Sequence, residues 1–317
     1  MKHAYSILLT LALVFTGPIP LHAKQLSYNT RSLSSGTNIH MLWKDMYGKK
    51  RSTAFTVPTY DLKEGAAQFQ AYNPNTMKRY TFTEIKKYAR TLEGGGNKIS
   101  VKLNHKGVLY SIQSRSQNTL SQIQRQMDYR LDKIQKDYFL KNGLKTYTEN
   151  GKEYVMPDHS RIAKEYVAKM RPLAAAIKQA NRGKSMRETL DYALNFVQAI
   201  PYNTLVSRVT SNGQGFATPY GILMNNQGDC DSKSVMYAAI VKNLYPSVGV
   251  AMVYVPKHAF LAISLPQKQN DWALRLGGKT YVLTEPAGPA LVPVGSISPS
   301  SKKYLQGKNY NYEKINF

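Results

Sequence analysis

Residues 225–234 read NNQGDCDSKS and contain Cys230, the one cysteine of this 317-residue chain. Downstream, apolar residues recur with helical spacing over residues 235–244, and Pro246 ends the pattern. Cys230 is therefore predicted in the first turn of a helix. Free backbone N–H groups and the positive end of the helix dipole favour a thiolate there.

The residues around Cys230 suit a helix start. Gly228 permits a close backbone turn, and Asp229 or Asp231 can cap the first turn. The thiol is interpreted as a nucleophile. The alternatives are a buried, inert cysteine and an intermolecular link, since one cysteine cannot cross-link its own chain.

The first 23 residues are predicted to be a secretory signal peptide. Lys2 precedes an apolar run over residues 7–15, and a cut is expected after Ala23. The run is too short to span a bilayer, although an uncleaved anchor is the alternative. We therefore expect an exported protein, periplasmic or secreted, with no transmembrane segment in the mature chain.

Basic residues dominate the charge. The chain has 43 Lys+Arg against 19 Asp+Glu, a formal net charge of +24, in an otherwise ordinary globular composition. The charge predicts attraction to anionic partners. Anionic envelope polymers or lipid headgroups fit an exported protein, whereas no nucleic-acid partner is expected because no such motif appears. The alternative is a basic surface with no dedicated partner.

The predicted fold class is α+β. Residues 24–180 are expected to form an N-terminal α+β section with two hairpins, a long amphipathic helix over 120–138, and a helix interrupted at Pro172. A catalytic domain is expected over 181–300 and a C-terminal tail over 301–317. The domain opens on a helix with a capping box formed by Ser185 and Glu188.

A base and an orienting acid follow the cysteine in the chain. His258 opens the second of two apolar runs in VGVAMVYVPKHAFLAISLP, residues 248–266. Glu285 ends the second strand of a hairpin predicted over residues 271–286. A helix carrying cysteine beside strands carrying histidine and an acid could bring all three to one edge of a sheet.

Four segments in this order resemble the transglutaminase-like superfamily, which has the papain-like fold in a circularly rearranged form. They are FVQAIPY at 196–202, QGDCDSKS at 227–234, PKHAF at 256–260 and VLTEP at 282–286. The resemblance covers roughly residues 184–295 and is strongest to bacterial exported cysteine hydrolases.

The resemblance implies a role for each site residue. Cys230 would be the nucleophile, His258 the base and Glu285 the orienting acid, although the family more often has Asp in that position. It also suggests Gln198 as a side-chain oxyanion donor beside the Cys230 backbone N–H, with Gln227 as a weaker rival.

The expected activity is hydrolysis of a protein or peptide substrate through a thioester. Two alternatives stay open, which are a protein-crosslinking transglutaminase and a non-catalytic envelope binding protein on the same fold. No cofactor or metal is expected, because one cysteine and scattered histidines cannot make a structural zinc site.

Overall fold

The computed structural model describes residues 24–149, 151–211 and 213–317, so the predicted signal peptide lies outside the described residues. The strands and helices alternate irregularly along the chain. In order they are β1 (Lys24–Leu33), β2 (Gly36–Lys44), β3 (Lys50–Val57), α1 (Thr59–Ala67), α2 (Pro74–Leu92), β4 (Lys98–Leu103), β5 (Val108–Gln113), α3 (Gln117–Lys141), β6 (Leu144–Glu149), β7 (Lys152–Pro157), α4 (His159–Lys169), α5 (Arg171–Ala180), α6 (Met186–Ala199), α7 (Pro219–Asn225), α8 (Cys230–Leu244), β8 (Val250–Val255), β9 (His258–Ile263), β10 (Ala273–Leu276), β11 (Lys279–Thr284), α9 (Pro299–Gln306) and β12 (Asn311–Ile315).

The predicted α+β class is confirmed at the level of a mixed chain with antiparallel sheets. The largest sheet has five strands in the order β10-β11-β9-β8-β12, and β1-β2-β3 form a second sheet. Two hairpins, β4-β5 and β6-β7, form separate two-stranded sheets. Each described pair of adjacent strands is antiparallel.

Helix α8 runs through the main core. Its residues from Ser232 to Val241 are all buried, and it packs against α4, α5, α6 and β9. A helix that is apolar on every side needs cover on every side, which explains why so many elements surround it.

The main core continues across the predicted domain boundary near Asn181. It includes Ile39 of β2 and Ile315 of β12, so both sections contribute to it. Trp43 meets Phe196 edge-on with ring centroids 5.5 Å apart, which joins the first sheet to α6. A separate small core lies between α2, α3 and the β4-β5 hairpin.

Most of the predicted elements are confirmed. Pro172 lies in the first turn of α5, so the interruption it predicted separates α4 from α5. The capping box of Ser185 and Glu188 is present at the start of α6. Residues 301–317, predicted as the C-terminal tail, contain most of α9 and the edge strand β12.

Candidate active site

Cys230 is the first residue of α8, as its sequence predicts. Asp229 is the N-cap, and its side chain accepts a hydrogen bond from Ser232 N at 3.2 Å. The cap satisfies one of the free N–H groups of the first turn. The thiol therefore lies at the positive end of a buried helix dipole.

Gly228 allows the chain to approach the helix closely. Its N–H donates to Pro201 O at 3.2 Å, and its carbonyl accepts from Asn203 N at 3.1 Å. A Cβ at this position would lie 3.2 Å from side-chain atoms of Ile222 and Lys233, tighter than most real contacts. Glycine therefore lets the segment after α6 pair directly with the segment before Cys230.

His258 and Glu285 form the best-defined pair of the site. His258 begins β9, and its Nε2 lies 2.7 Å from Glu285 Oε1. The other carboxylate oxygen of Glu285 accepts from Ser298 N at 2.5 Å. The carboxylate is thus fixed from both sides, and Nδ1 of His258 is left as the ring nitrogen for Cys230.

The pKa of His258 reflects this arrangement. Burial alone would lower it, but interactions with Cys230 and Glu285 outweigh burial and raise the pKa from 6.5 to about 9. Cys230 therefore lies close enough to His258 for hydrogen bonding and charge attraction to act on the imidazole. All three residues of the predicted triad come together.

Two aspartates flank the thiol, and their pKa values shift in opposite directions. Burial raises the pKa of Asp229, as does the charge of Asp231. Burial would also raise the pKa of Asp231, but a hydrogen bond and the charge of His159 lower it. The carboxylate of Asp231 next to Cys230 is therefore held by its contact with His159, at 2.9 Å.

His159 links the N-terminal section to the catalytic helix. It begins α4 and is 2% exposed. Its Nε2 lies 2.9 Å from Asp231 Oδ2, and its Nδ1 lies 3.0 Å from Tyr254 Oη. Tyr254 in turn donates to Glu313 Oε2 at 3.4 Å. This partly buried chain of polar groups joins α4, α8, β8 and β12.

Gln198 does not face the thiol. It is fully buried, and its Nε2 donates to Glu285 O at 3.0 Å and to Val292 O at 3.1 Å. Both amide hydrogens are engaged, so this geometry offers none to an oxyanion. The predicted donor role is therefore replaced by a positioning role for the Glu285 backbone.

Lys233 stabilises the same segment. It is fully buried, and its Nζ donates to Ile200 O at 2.6 Å and to Ala287 O at 2.5 Å. Burial lowers its pKa to about 7. The side chain joins the end of α6 to the loop that follows Glu285, which helps to fix the acid.

Gln227, the weaker candidate for the side-chain oxyanion donor, forms hydrogen bonds with the loop before α7. Its Nε2 donates to Thr210 O and its Oε1 accepts from Asn203 Nδ2, both at 3.0 Å. Tyr202 is the polar side chain that interacts with the thiol instead. Burial raises its pKa to about 12, and the charge of Cys230 and a hydrogen-bonding interaction with it act in the same direction.

Sequence reasoning missed His159, Lys233 and Tyr202. His159 lies in the N-terminal section, more than 70 positions before the cysteine, and no spacing rule connects the two. Lys233 carried no local signal, since it lies among the polar residues Asp231, Ser232 and Ser234, and the apolar run begins only at Val235. Tyr202 ends the segment FVQAIPY, and its sequence context indicated no role for this tyrosine.

Three further findings concern the described residues. No group of three or more His, Cys, Asp or Glu side chains is placed to hold a metal ion. None of the helices described is long and apolar enough to cross a membrane. Comparisons with protein-family models, curated proteins and solved structures gave no match.

Proposed function

We propose that this protein is an exported, transglutaminase-like cysteine hydrolase that cleaves amide bonds in a protein or peptide substrate, with Cys230, His258 and Glu285 as its triad. The observation that carries the proposal is the 2.7 Å pair of His258 and Glu285 beside a helix that begins at Cys230. A nucleophile, a base and an orienting acid in this relation support covalent acyl transfer. We propose the papain-like fold together with this activity.

The acylation step uses both members of the Cys230–His258 pair. The thiolate attacks the carbonyl carbon and forms a C–S bond, and the carbonyl electrons move to oxygen. The intermediate collapses, the C–N bond breaks, and the imidazolium of His258 gives its proton to the leaving amine. A thioester on Cys230 remains, with His258 neutral.

Deacylation reverses these roles. His258 takes a proton from water, the hydroxide adds to the thioester carbon, and the C–S bond breaks to release a carboxylic acid and the thiolate. Glu285 keeps the imidazole in the tautomer with the proton on Nε2, so that Nδ1 can act as the base.

The oxyanion would be stabilised by the backbone N–H of Cys230 and by the hydroxyl of Tyr202. The first donor belongs to the free first turn of α8. The second replaces Gln198, because Tyr202 interacts with Cys230 and its raised pKa keeps the hydroxyl protonated. Tyr202 is nearly half exposed and so borders the space where substrate would enter.

The reactivity of Cys230 tests the proposal directly, because every alkylation event in this chain reports on one thiol. Limiting iodoacetamide is added at neutral pH to the folded protein, to the protein in urea and to His258→Ala, and intact mass is followed over time. Folded wild type should react faster than both. If Cys230 were alkylated only after urea, it would be a buried structural cysteine, and the proposal would be wrong.

A second assay separates hydrolysis from crosslinking. A disordered protein is offered together with a fluorescent primary amine. New amino termini without amine incorporation support hydrolysis, whereas amine incorporation that Cys230→Ala abolishes would assign an acyltransferase instead.

A further inference from the structure

A cavity of about 660 Å³ borders the turn that precedes His258. Its walls are residues 145–149 of β6, residues 309–313 leading into and along β12, and the turn 255–257. His258 follows that turn directly, so the cavity and the triad share the β8-β9 corner. We call this cavity the strand slot.

Two strands from different sheets, β6 and β12, line the strand slot together with Met156 of β7 and Tyr254 of β8. β12 is the last strand of the five-stranded sheet, and β6 belongs to a two-stranded sheet, so each strand has an unpaired side. Consecutive residues of both strands line the cavity, which indicates that backbone as well as side chains faces it. In the described part of the chain, no backbone hydrogen bond joins 145–149 or 310–313 to anything outside their own hairpin or sheet.

Open strand edges normally carry protection, since unpaired N–H and C=O groups attract other chains. Here one ion pair crosses the slot, from Lys145 Nζ to Glu313 Oε2 at 2.5 Å. Beyond that pair the residues of β6 are exposed up to Glu149. The slot is therefore closed at one point and open along its length.

Four tyrosines line the slot, and they are Tyr147, Tyr254, Tyr310 and Tyr312. Tyr147 is 40% exposed and Tyr312 is 47% exposed. Tyrosine offers apolar contact together with a polar tip, which suits varied side chains of a bound chain. At the end nearest His258, Lys257 adds an exposed cation on a residue with φ +62°.

We propose that the strand slot binds an extended segment of an L-polypeptide as an added β-strand, and that it leads this segment to Cys230. The inference rests on the proposed function and gives it a substrate class, which is disordered or unfolded protein. Main-chain pairing supplies affinity in this mode, and alternate side chains supply selectivity. About five residues of extended chain, roughly 16 Å, would lie along β12.

This class differs from the crosslinked peptides of cell-wall polymers. A β-ladder requires alternating side chains and regularly spaced N–H and C=O groups. Peptides with D-residues and side-chain linkages break both regularities. Such peptides should therefore occupy the slot poorly.

Binding is tested on full-length Cys230→Ala, which cannot turn the probe over. The probe is reduced, carboxymethylated α-lactalbumin, and amide hydrogen exchange is compared with and without it. Protection should appear in 145–149 and 309–313 while the distant β4-β5 hairpin stays unchanged. Soluble muropeptides with D-residues serve as the comparison and should give little protection.

Backbone recognition is then separated from side-chain recognition. A synthetic peptide covering the bound segment of the probe is N-methylated at one position at a time. Methylation at every second position should weaken binding by about five- to tenfold, with little effect between. Uniform small effects, no protection of the two edges, or equal protection by muropeptides would overturn the proposal.

Failure of this inference and failure of the proposed function give different results. Rapid alkylation of Cys230 without edge protection removes the strand slot and leaves the hydrolase. Edge protection with an inert thiol supports the slot as a polypeptide-binding site and removes the hydrolase.

Discussion

Replacing Glu285 with glutamine tests whether this carboxylate sets the state of His258. The wild-type carboxylate accepts from His258 on one oxygen and from Ser298 N on the other. A glutamine has one oxygen and one NH₂, so it cannot accept from both. Either the NH₂ opposes the Ser298 N–H, or it donates to His258 Nε2 and forces the imidazole proton onto Nδ1.

Both orientations should damage the proposed catalysis. The first leaves two donors facing each other in a site where Glu285 is only 12% exposed. The second removes the base, because Nδ1 then carries the proton that it should accept. In triads of this type the loss of the charged orienting group lowers kcat by about 10⁴-fold, and we expect about 10³- to 10⁴-fold for Glu285→Gln.

The same change should alter the pH dependence of stability. The folded-state pKa of His258 is raised from 6.5 to about 9, which corresponds to at most about 3 kcal/mol. Because the folded pKa is the higher one, this stabilisation is present below pH 6.5 and is lost as pH rises through about 9. In Glu285→Gln the pH range over which His258 stabilises the folded state should narrow, because the folded-state pKa of His258 moves down toward 6.5.

Urea unfolding at several pH values between 5 and about 10, with kcat on a disordered protein, measures both effects. Glu84→Gln is the matched control, since its exposed pair with Lys87 lies on α2, away from the site. Unchanged kcat in Glu285→Gln, or an unchanged pH window, would refute the assigned role of this carboxylate.

Three more outcomes are expected. Cys230→Ala and His258→Ala should each lower kcat by about 10⁶-fold, because triad members act as a unit, and full activity in His258→Ala would require another base. His159→Ala should lower the free energy of unfolding by about 3 kcal/mol, measured by urea titration, because it leaves Asp231 charged and without its main partner; a loss below 1 kcal/mol would contradict this. At a net charge of +24, co-sedimentation with anionic vesicles should fall steeply from low to moderate salt, where screening acts over roughly 8 Å, and salt-insensitive binding would indicate a specific pocket.

Several features of the site could be predicted from local sequence. The start of α8 at Cys230 follows from a capping aspartate before an apolar repeat. His258 at the start of β9 follows from an apolar run that resumes after Pro256. These signals depend on neighbours within a few positions, and the physics of caps, turns and periodicity acts at that range.

The order of the motifs along the chain was more informative about the site than their spacing. Cys230, His258 and Glu285 are far apart in sequence, and the family resemblance proposed that they meet. The three residues are brought close together by the sheet order β11-β9-β8 and by the packing of α8 on β9. Local patterns specify each strand, but the pairing of strands depends on the whole core.

The sequence by itself determined the position of Cys230 at a helix start, the antiparallel α+β character and the excess of positive charge. Only the tertiary structure decided which buried polar groups meet. Gln198 turned to carbonyls near Glu285, His159 reached Asp231 from another section, and β12 joined the sheet edge that faces β6. Each of these contacts joins distant positions, and a buried polar group takes whichever partner the surrounding core brings within hydrogen-bonding distance.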